Sequence, residues 1–226
     1  CPTGAITSAG DVVAIDPAIC AGCGQCAAAC PTGAASYALP TAETSTRRLR
    51  TLLRTYFTAG GSKAPVILLH DQDHGNPLID ASARFGKGLP SYVLPLLVNE
   101  TTQIGPELIA AAYAYGAGGV AILGRSRPRH DLTGLHQTLA MTRDLLSAMA
   151  RAPETLVLIE ADDPDALEEA LHAAPADIAI ERSSFLPPED KRGLLTTAII
   201  ELNRTAPEPA SLIRLETGAP FGTVVL

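Results

Sequence analysis

The sequence predicts an α/β protein in which a small cysteine-rich module precedes a doubly wound parallel sheet of five strands. Two observations lead to this prediction. Between residues 63 and 205, apolar segments alternate with amphipathic helical patterns, which is typical of a parallel sheet covered by helices on both faces. All five cysteines lie within the first thirty residues, so the amino-terminal segment has a chemistry of its own.

The composition of the 226-residue chain limits the classes of function. Hydrophobic residues make up 46% of it, enough for a packed core, and aromatic residues only 4%. A net charge of −7 argues against nucleic acid as a partner. No apolar segment approaches the length of a membrane span. Cysteines clustered at one end favour a metal site, in a reducing, cytoplasmic compartment, over a disulfide scaffold.

Four of the cysteines form one closely spaced motif, C-x2-C-x2-C-x3-C-P, made by Cys20, Cys23, Cys26 and Cys30. This spacing is that of the [4Fe–4S] motif of bacterial ferredoxins. Its first three thiolates can surround three irons of a cubane, and Gly22 and Gly24 allow the backbone conformations that such a tight loop needs. The fourth cysteine follows on a short helical turn, which Pro31 ends. We therefore predict a [4Fe–4S] cluster, with a zinc site or free thiols as the alternative.

An internal repeat indicates how the ligands are shared. The residues Cys-Pro-Thr-Gly-Ala begin at Cys1 and again at Cys30, 29 residues later. In two-cluster ferredoxins the last cysteine of each motif binds the other cluster. The repeat therefore predicts one complete site, in which Cys1 joins the first three cysteines of the motif. Cys30 would bind a second cluster whose remaining ligands lie upstream of this chain.

Residues 1–39 resemble a bacterial two-cluster ferredoxin, through the motif, the repeat and the 19-residue step from Cys1 to Cys20. The resemblance implies a partial ferredoxin-like iron–sulfur module with a hairpin that turns at Gly10 and Asp11. Because the chain opens directly on Cys1, we interpret it as a piece of a longer protein.

The chain divides into four predicted parts: a partial ferredoxin module, a linker with a short helix, an α/β domain, and a linker with the start of a further module. Their limits are 1–39, 40–62, 63–205 and 206–226. The prediction of a further module depends on a weak similarity between residues 221–226 and residues 10–14. The alternative is that residues 221–226 form an ordinary last strand.

Apolar segments mark the five predicted strands, at 65–69, 92–98, 119–123, 155–159 and 177–180. Helical patterns lie near 45–58, 76–85, 105–115, 131–150, 164–174 and 187–204. Pro106 suits the first position of its helix, and Asp131 and either Asp162 or Asp163 are predicted helix caps. Strands that are apolar throughout predict a flavodoxin-like sheet that is buried on both faces.

Three polar loops follow predicted strands, at the edge where such sheets bind ligands. The loop at 70–74 could hold a metal through His70, Asp73 and His74, or it is a solvated loop with a helix cap. The loop at 99–102 has a single carboxylate and little chemistry to offer. No nucleotide-binding fingerprint is found, because the glycines at 116–119 precede a strand and are interpreted as a helix end and turn.

The third loop, at 124–130, is basic, although the chain as a whole is acidic. Its four basic-capable side chains are Arg125, Arg127, Arg129 and His130. Such a group indicates an anionic ligand or a docking surface, with a mobile solvated loop as the alternative.

Residues 64–160 resemble the small iron–sulfur (delta) subunit of methyl-viologen-reducing hydrogenases. The likeness rests on the sequence AGGVAILG at 117–124, the basic loop after it and the long helix that follows. The resemblance implies cysteines for a [2Fe–2S] cluster, but Val98, Asn99 and the residues from Arg125 to His130 stand at those places. We therefore expect a scaffold that lacks this metal and retains a docking role.

The leading hypothesis for function is an electron-transfer subunit, with a redox enzyme such as a formate dehydrogenase or hydrogenase as its partner. An anion-binding or regulatory protein with a structural or redox-sensing cluster is the alternative. A metal-dependent enzyme at the loop of residues 70–74 is a third hypothesis. We expect an electron carrier or a subunit of an oxidoreductase more than an enzyme in its own right.

Overall fold

The structure, a computed structural model, describes residues 1–177, 181–215 and 219. Two features predicted from the sequence lie wholly or largely outside these residues. They are the fifth strand, at 177–180, and the start of a further module, at 221–226.

The amino-terminal module begins with an antiparallel hairpin. Its strands are β1 (Ile6–Ala9) and β2 (Val12–Ile15), and the short helix α1 (Gln25–Ala29) follows. Gly10 and Asp11 form the turn between the strands, as predicted. The φ of 75° at Gly10 is of the kind that favours glycine.

A parallel sheet forms the centre of the remaining chain. In chain order its strands are β3 (Val66–His70), β4 (Val93–Leu97), β5 (Gly119–Gly124) and β6 (Leu156–Glu160). Their order in the sheet is β4-β3-β5-β6, so the chain starts near the middle and winds outward in both directions. This confirms the α/β prediction. The order matches the first four places of a doubly wound sheet, while the five-stranded flavodoxin-like arrangement stays a prediction.

Six helices lie near the predicted positions. They are α2 (Ala42–Thr58), α3 (Gly75–Phe85), α4 (Pro106–Ala114), α5 (Thr133–Ala148), α6 (Pro164–Ala173) and α7 (Lys191–Arg204). The start of α7 differs most from its prediction, because the helix begins at Lys191 and not near residue 187. Asp190 then caps the helix by accepting a hydrogen bond from the N–H of Gly193 at 2.6 Å.

Helices cover both faces of the sheet, as the apolar strands predict. Alternate side chains of β3 point to opposite faces. Ile67 and Leu69 belong to a core cluster with residues of α2, α4, α5 and α7. Val66 and Leu68 belong to a second cluster with residues of α3 and α6. The sheet is therefore the middle layer of three.

Helix α4 is the most deeply buried helix that the structure describes, with no exposed residue. Pro106 occupies its first turn after the cap residue Gly105, as predicted. The predicted helix end at the following glycines is confirmed by Gly116, whose φ is 100°. Leu49 and Leu53 of α2, a helix that the sequence assigns to the linker, are fully buried in the same cluster as α4. The limits of the domains stay a prediction.

One of the two predicted caps is wrong. Leu132, rather than Asp131, is the cap residue of α5, and its side chain makes no capping bond. The carboxylate of Asp131 instead accepts hydrogen bonds from the N–H and hydroxyl of Thr133, at 3.2 and 2.8 Å. Asp163 caps α6 as predicted, by accepting the N–H of Ala166 at 2.9 Å. None of the helices in the described part of the chain is long and apolar enough to cross a membrane.

Candidate iron–sulfur site

Four cysteines line a single cavity of about 230 Å³, namely Cys1, Cys20, Cys23 and Cys26. Ile6, Ile15 and Ala29 supply much of the remaining wall, and His130 of the basic loop also reaches it. Cys30 is not part of the lining. None of the five cysteines forms a disulfide. The structure thus brings together the four cysteines that the repeat assigns to one site, and their joint role as ligands stays a prediction.

The hairpin brings Cys1 and Cys20 to this cavity. The carbonyl of the buried residue Ala5 accepts the N–H of Asp16 at 2.9 Å, which closes the base of the hairpin. On one side of this base, the carbonyl of Cys1 accepts the N–H of Gly4 at 3.2 Å. On the other side, the carbonyl of Asp16 accepts the N–H of Cys20 at 2.9 Å. Two tight turns therefore hold residues from both ends of the 19-residue step beside each other.

The loop between Cys20 and Cys26 depends on two glycines in the left-handed region. Gly22 has a φ of 69° and Gly24 a φ of 74°. Gly24 is buried, and a Cβ there would lie 2.6 Å from Cε2 of Tyr37. The hydroxyl of Tyr37 donates a hydrogen bond to the carbonyl of Gly22. Burial, together with the charges of Glu100 and the cysteines, raises the pKa of Tyr37 to about 12, so its hydroxyl stays a donor at neutral pH.

Polar contacts fasten the cysteine loop to the α/β domain. Thr102, after β4, donates a hydrogen bond to the carbonyl of Cys23 at 2.6 Å. The side chain of Gln25 donates to the carbonyl of Asp131, just before α5. The position of the thiolates is therefore set by the larger domain as well as by their own loop.

Cys30 lies in a different environment. Burial raises the pKa of its thiol, but hydrogen bonds with the N–H of Ala35 and the hydroxyl of Thr32 outweigh burial. Together with the backbone of Gly33, they lower the pKa from 9.0 to about 7. A large fraction of this thiol is therefore thiolate at neutral pH, the form that binds metal.

The first polar loop serves the start of α3. The carboxylate of Asp71 accepts the N–H groups of His74 and Gly75, at 2.6 and 3.1 Å. His74 Nε2 lies 2.8 Å from the carbonyl of Ala161, within hydrogen-bond distance. Burial lowers the pKa of His70, so this ring stays neutral at pH 7. The side chains of His70, Asp73 and His74 do not form a group that could hold a metal ion.

The acidic and basic loops meet at the edge of the sheet. Arg129 donates to the carboxylate of Asp73 at 2.9 Å, in a pair that is more than half exposed. Asp71 and Glu100 line a small cavity of about 30 Å³ together with Arg125 and other residues of the basic loop. The positive charge of Arg129 is therefore balanced by a neighbouring carboxylate.

The sequence did not indicate the residues that contact α1 on the side away from the cysteine cavity. Lys191, the first residue of α7, donates hydrogen bonds to the carbonyls of Ala27 and Ala28. It also lies 3.7 Å from the buried carboxylate of Glu107. No local pattern marks a contact between residues more than 160 positions apart. The one available signal was Glu107 itself, a carboxylate in a helix whose other residues are apolar or small.

The comparison with known proteins agrees with the motif. Residues 12–35 match a family described as a 4Fe-4S binding domain. The matched region contains four cysteines, Cys20, Cys23, Cys26 and Cys30. The predicted [4Fe–4S] cofactor is thereby confirmed, and an apolar cavity lined by thiols suits such a group. The chain matched none of the curated proteins. The likeness of residues 64–160 to the hydrogenase delta subunit stays a prediction.

Proposed function

We propose that this chain transfers electrons through a [4Fe–4S] cluster held by Cys1, Cys20, Cys23 and Cys26. The cavity that these four cysteines share is the observation that supports the proposal most strongly. When bound, such a cluster accepts and releases one electron at a time. The protein supplies the four thiolates and an apolar wall that limits the access of water. Cys1 and Cys20 are exposed, so one edge of the site lies at the surface, where an electron donor can approach.

The chain would form part of a larger subunit with several clusters. The position of Cys30 outside the cavity and the lowered pKa of its thiol support a role in a second cluster. The remaining ligands of that cluster would come from residues that this chain does not contain. The partner would be a redox enzyme, such as a formate dehydrogenase or hydrogenase, and the compartment a reducing, cytoplasmic one.

The basic loop would form the docking surface. His130 lines the cysteine cavity, and Arg127 and Arg129, a few residues before it, are exposed. A partner with an acidic patch would therefore bind close to the exposed edge of the cluster. Exchange of Arg127 for Gln should slow reduction by such a partner at low salt, without changing reduction by dithionite.

An anion-binding or regulatory role of the α/β domain is the second candidate. It is favoured by Arg125, whose Nη2 is buried without a hydrogen-bond partner among the described residues. A rise in melting temperature with sulfate that is absent from Arg125→Gln would support this role. The adjoining cavity of about 30 Å³ has space for little more than a water molecule, which favours the electron-transfer proposal.

Anaerobic reconstitution with iron and sulfide tests the leading proposal. We expect about four irons per chain and an EPR signal of the reduced protein. Cys1→Ser and Cys30→Ser form a matched pair, because both cysteines begin the same five-residue repeat. Cys1→Ser should lose most of the iron, while Cys30→Ser should retain it. The opposite result would contradict the ligand assignment, and the absence of iron and sulfide from the wild-type chain would overturn electron transfer.

A further inference from the structure

A second cavity, of about 320 Å³, lies between the cysteine module and the α/β domain. Helix α1 contributes to the walls of both cavities. Cys26 and Ala29 line the cysteine cavity, whereas Ala27 lines the second one. A charge in the second cavity is therefore separated from the cluster site by little more than one short helix.

Lys191 places a positive charge at this helix. Its side chain is only 9% exposed, and its ammonium group donates to the carbonyls of Ala27 and Ala28, the latter at 3.0 Å. These carbonyls directly follow the ligand residue Cys26 in the chain. The effect of a charge on a nearby redox group is stronger inside a protein than in water, because the dielectric constant is lower.

Glu107 faces the same cavity and is 5% exposed. Its Oε1 lies 3.7 Å from the ammonium group of Lys191. Its Oε2 is buried and has no hydrogen-bond partner among the residues that the structure describes. Gly105 leaves room for the carboxylate in this position, since a Cβ of residue 105 would lie 2.5 Å from Oε1. A buried carboxylate oxygen without a donor is an acceptor site for a proton.

We propose that Oε2 of Glu107 binds a proton when the cluster is reduced, and that Lys191 is a positioning residue that couples the two sites. The inference rests on the proposed electron transfer. One electron comes from a one-electron donor protein or from dithionite, and one proton comes from water. The carboxylate becomes a neutral carboxylic acid, so the charge of the site as a whole does not change.

The charges around Glu107 support this direction. Burial raises its pKa, and the nearby ammonium group of Lys191 lowers it by less. The other titratable residues described in the cavity lining are Tyr37, Glu189 and Asp190. Asp190 is engaged in capping α7, Glu189 is exposed, and the residues that α2 contributes to the lining carry no charge. Reduction adds a negative charge on the other side of α1. This charge disfavours the negatively charged form of Glu107 and therefore favours protonation of its carboxylate. By linkage, the proton in turn favours reduction.

The test is the midpoint potential of the reconstituted chain, followed by EPR between about pH 6 and about pH 9. In the wild type the midpoint potential should fall as the pH rises. The largest expected slope is about 59 mV per pH unit, which for one electron is a tenfold change in the reduction equilibrium. Glu107→Gln should remove most of this slope. Glu189→Gln, which makes the same change at an exposed position of the same cavity, should retain it.

Two further measurements separate a proton site from a structural role. Infrared difference spectra on reduction should show a protonated carboxyl band in the wild type that is missing from Glu107→Gln. Lys191→Met should shift the midpoint to a more negative value. Because this variant leaves Glu107 buried without its counter-ion, the double variant Lys191→Met/Glu107→Gln provides a test if the single one does not fold.

The possible outcomes test the protonation of Glu107 separately from the proposed electron transfer. If the cluster assembles but its potential is independent of pH, the inference is wrong and the proposed electron transfer is unaffected. The same holds if Glu107→Gln shows the slope of the wild type. A midpoint of Lys191→Met equal to that of the wild type, or a midpoint of the double variant equal to that of Glu107→Gln, overturns the coupling role of Lys191. A chain that assembles no cluster overturns the inference and the proposed function together.

Discussion

Gly24 lies where the cysteine loop meets the α/β domain, and its exchange for alanine tests this contact. The residue has a φ of 74° and is buried. A Cβ at this position would lie 2.6 Å from Cε2 of Tyr37 and 3.0 Å from Cα of Gln103. The second contact is with backbone, which cannot move aside as a flexible side chain would. Gly24→Ala therefore combines backbone strain with overpacking.

Gly22→Ala is the matched control. Gly22 has nearly the same φ, 69°, but the nearest atom to its Cβ would be the hydroxyl oxygen of Tyr37, at 4.0 Å. The free energy of unfolding of this variant should fall only by the cost of an alanine in the left-handed region, about 1–2 kcal/mol. Gly24→Ala should lose a further amount of about 1–3 kcal/mol from overpacking.

Urea unfolding of the apo chain, followed by circular dichroism, measures both variants. Iron content after reconstitution is a second readout, because the same displacement would move Cys23 and Cys26. We expect Gly24→Ala to have the lower unfolding midpoint and the lower iron content. Equal losses for the two glycine variants would refute the packing of the loop against Tyr37 and Gln103.

Three other predictions concern the α/β domain. Leu53→Ala should lower the free energy of unfolding by about 2–5 kcal/mol in urea titrations, because Leu53 is fully buried in the larger core cluster. Asp73→Asn should change stability by less than about 1 kcal/mol, since its pair with Arg129 is exposed, and an unfolding midpoint far below wild type would contradict this. Hydrogen bonds lower the pKa of Glu168, so its contribution to stability is present above the unfolded pKa and is lost as the pH falls through the folded pKa. Melting temperatures should therefore depend less on acid pH in Glu168→Gln than in Glu169→Gln, whose carboxylate neighbours it in the chain.

Much of the fold could be predicted from the sequence, because it depends on periodicity and on local signals. Apolar strands and amphipathic helices located the described strands and α-helices of the sheet region to within a few residues, but not its two short 3-10 helices. The cap at Asp163 and the turn at Gly10 have local causes, and both are confirmed. The misplaced cap at Asp131 shows the limit of such signals, since a carboxylate one residue too early still satisfies an N–H of the first turn.

The surroundings of the site could not be predicted, because they are set by contacts between distant parts of the chain. The basic loop was visible in the sequence, but its pairing with Asp73 requires the two loops to follow neighbouring strands. The contact of Lys191 with Ala27 and Ala28 joins α7 to the amino-terminal module. Such contacts follow from the packing of whole helices, which periodicity does not specify.

The attachment of the cysteine loop to Thr102 and of α1 to Lys191 has a consequence for the order of assembly. In a small metal domain such as a zinc finger, the metal must organise the chain that binds it. Here the large hydrophobic core contains no cysteine, so we expect it to fold without metal and to hold the cysteine loop on two sides. We therefore expect the loop to lose part of its conformational entropy before iron binds, with the α/β domain as a template for cluster insertion.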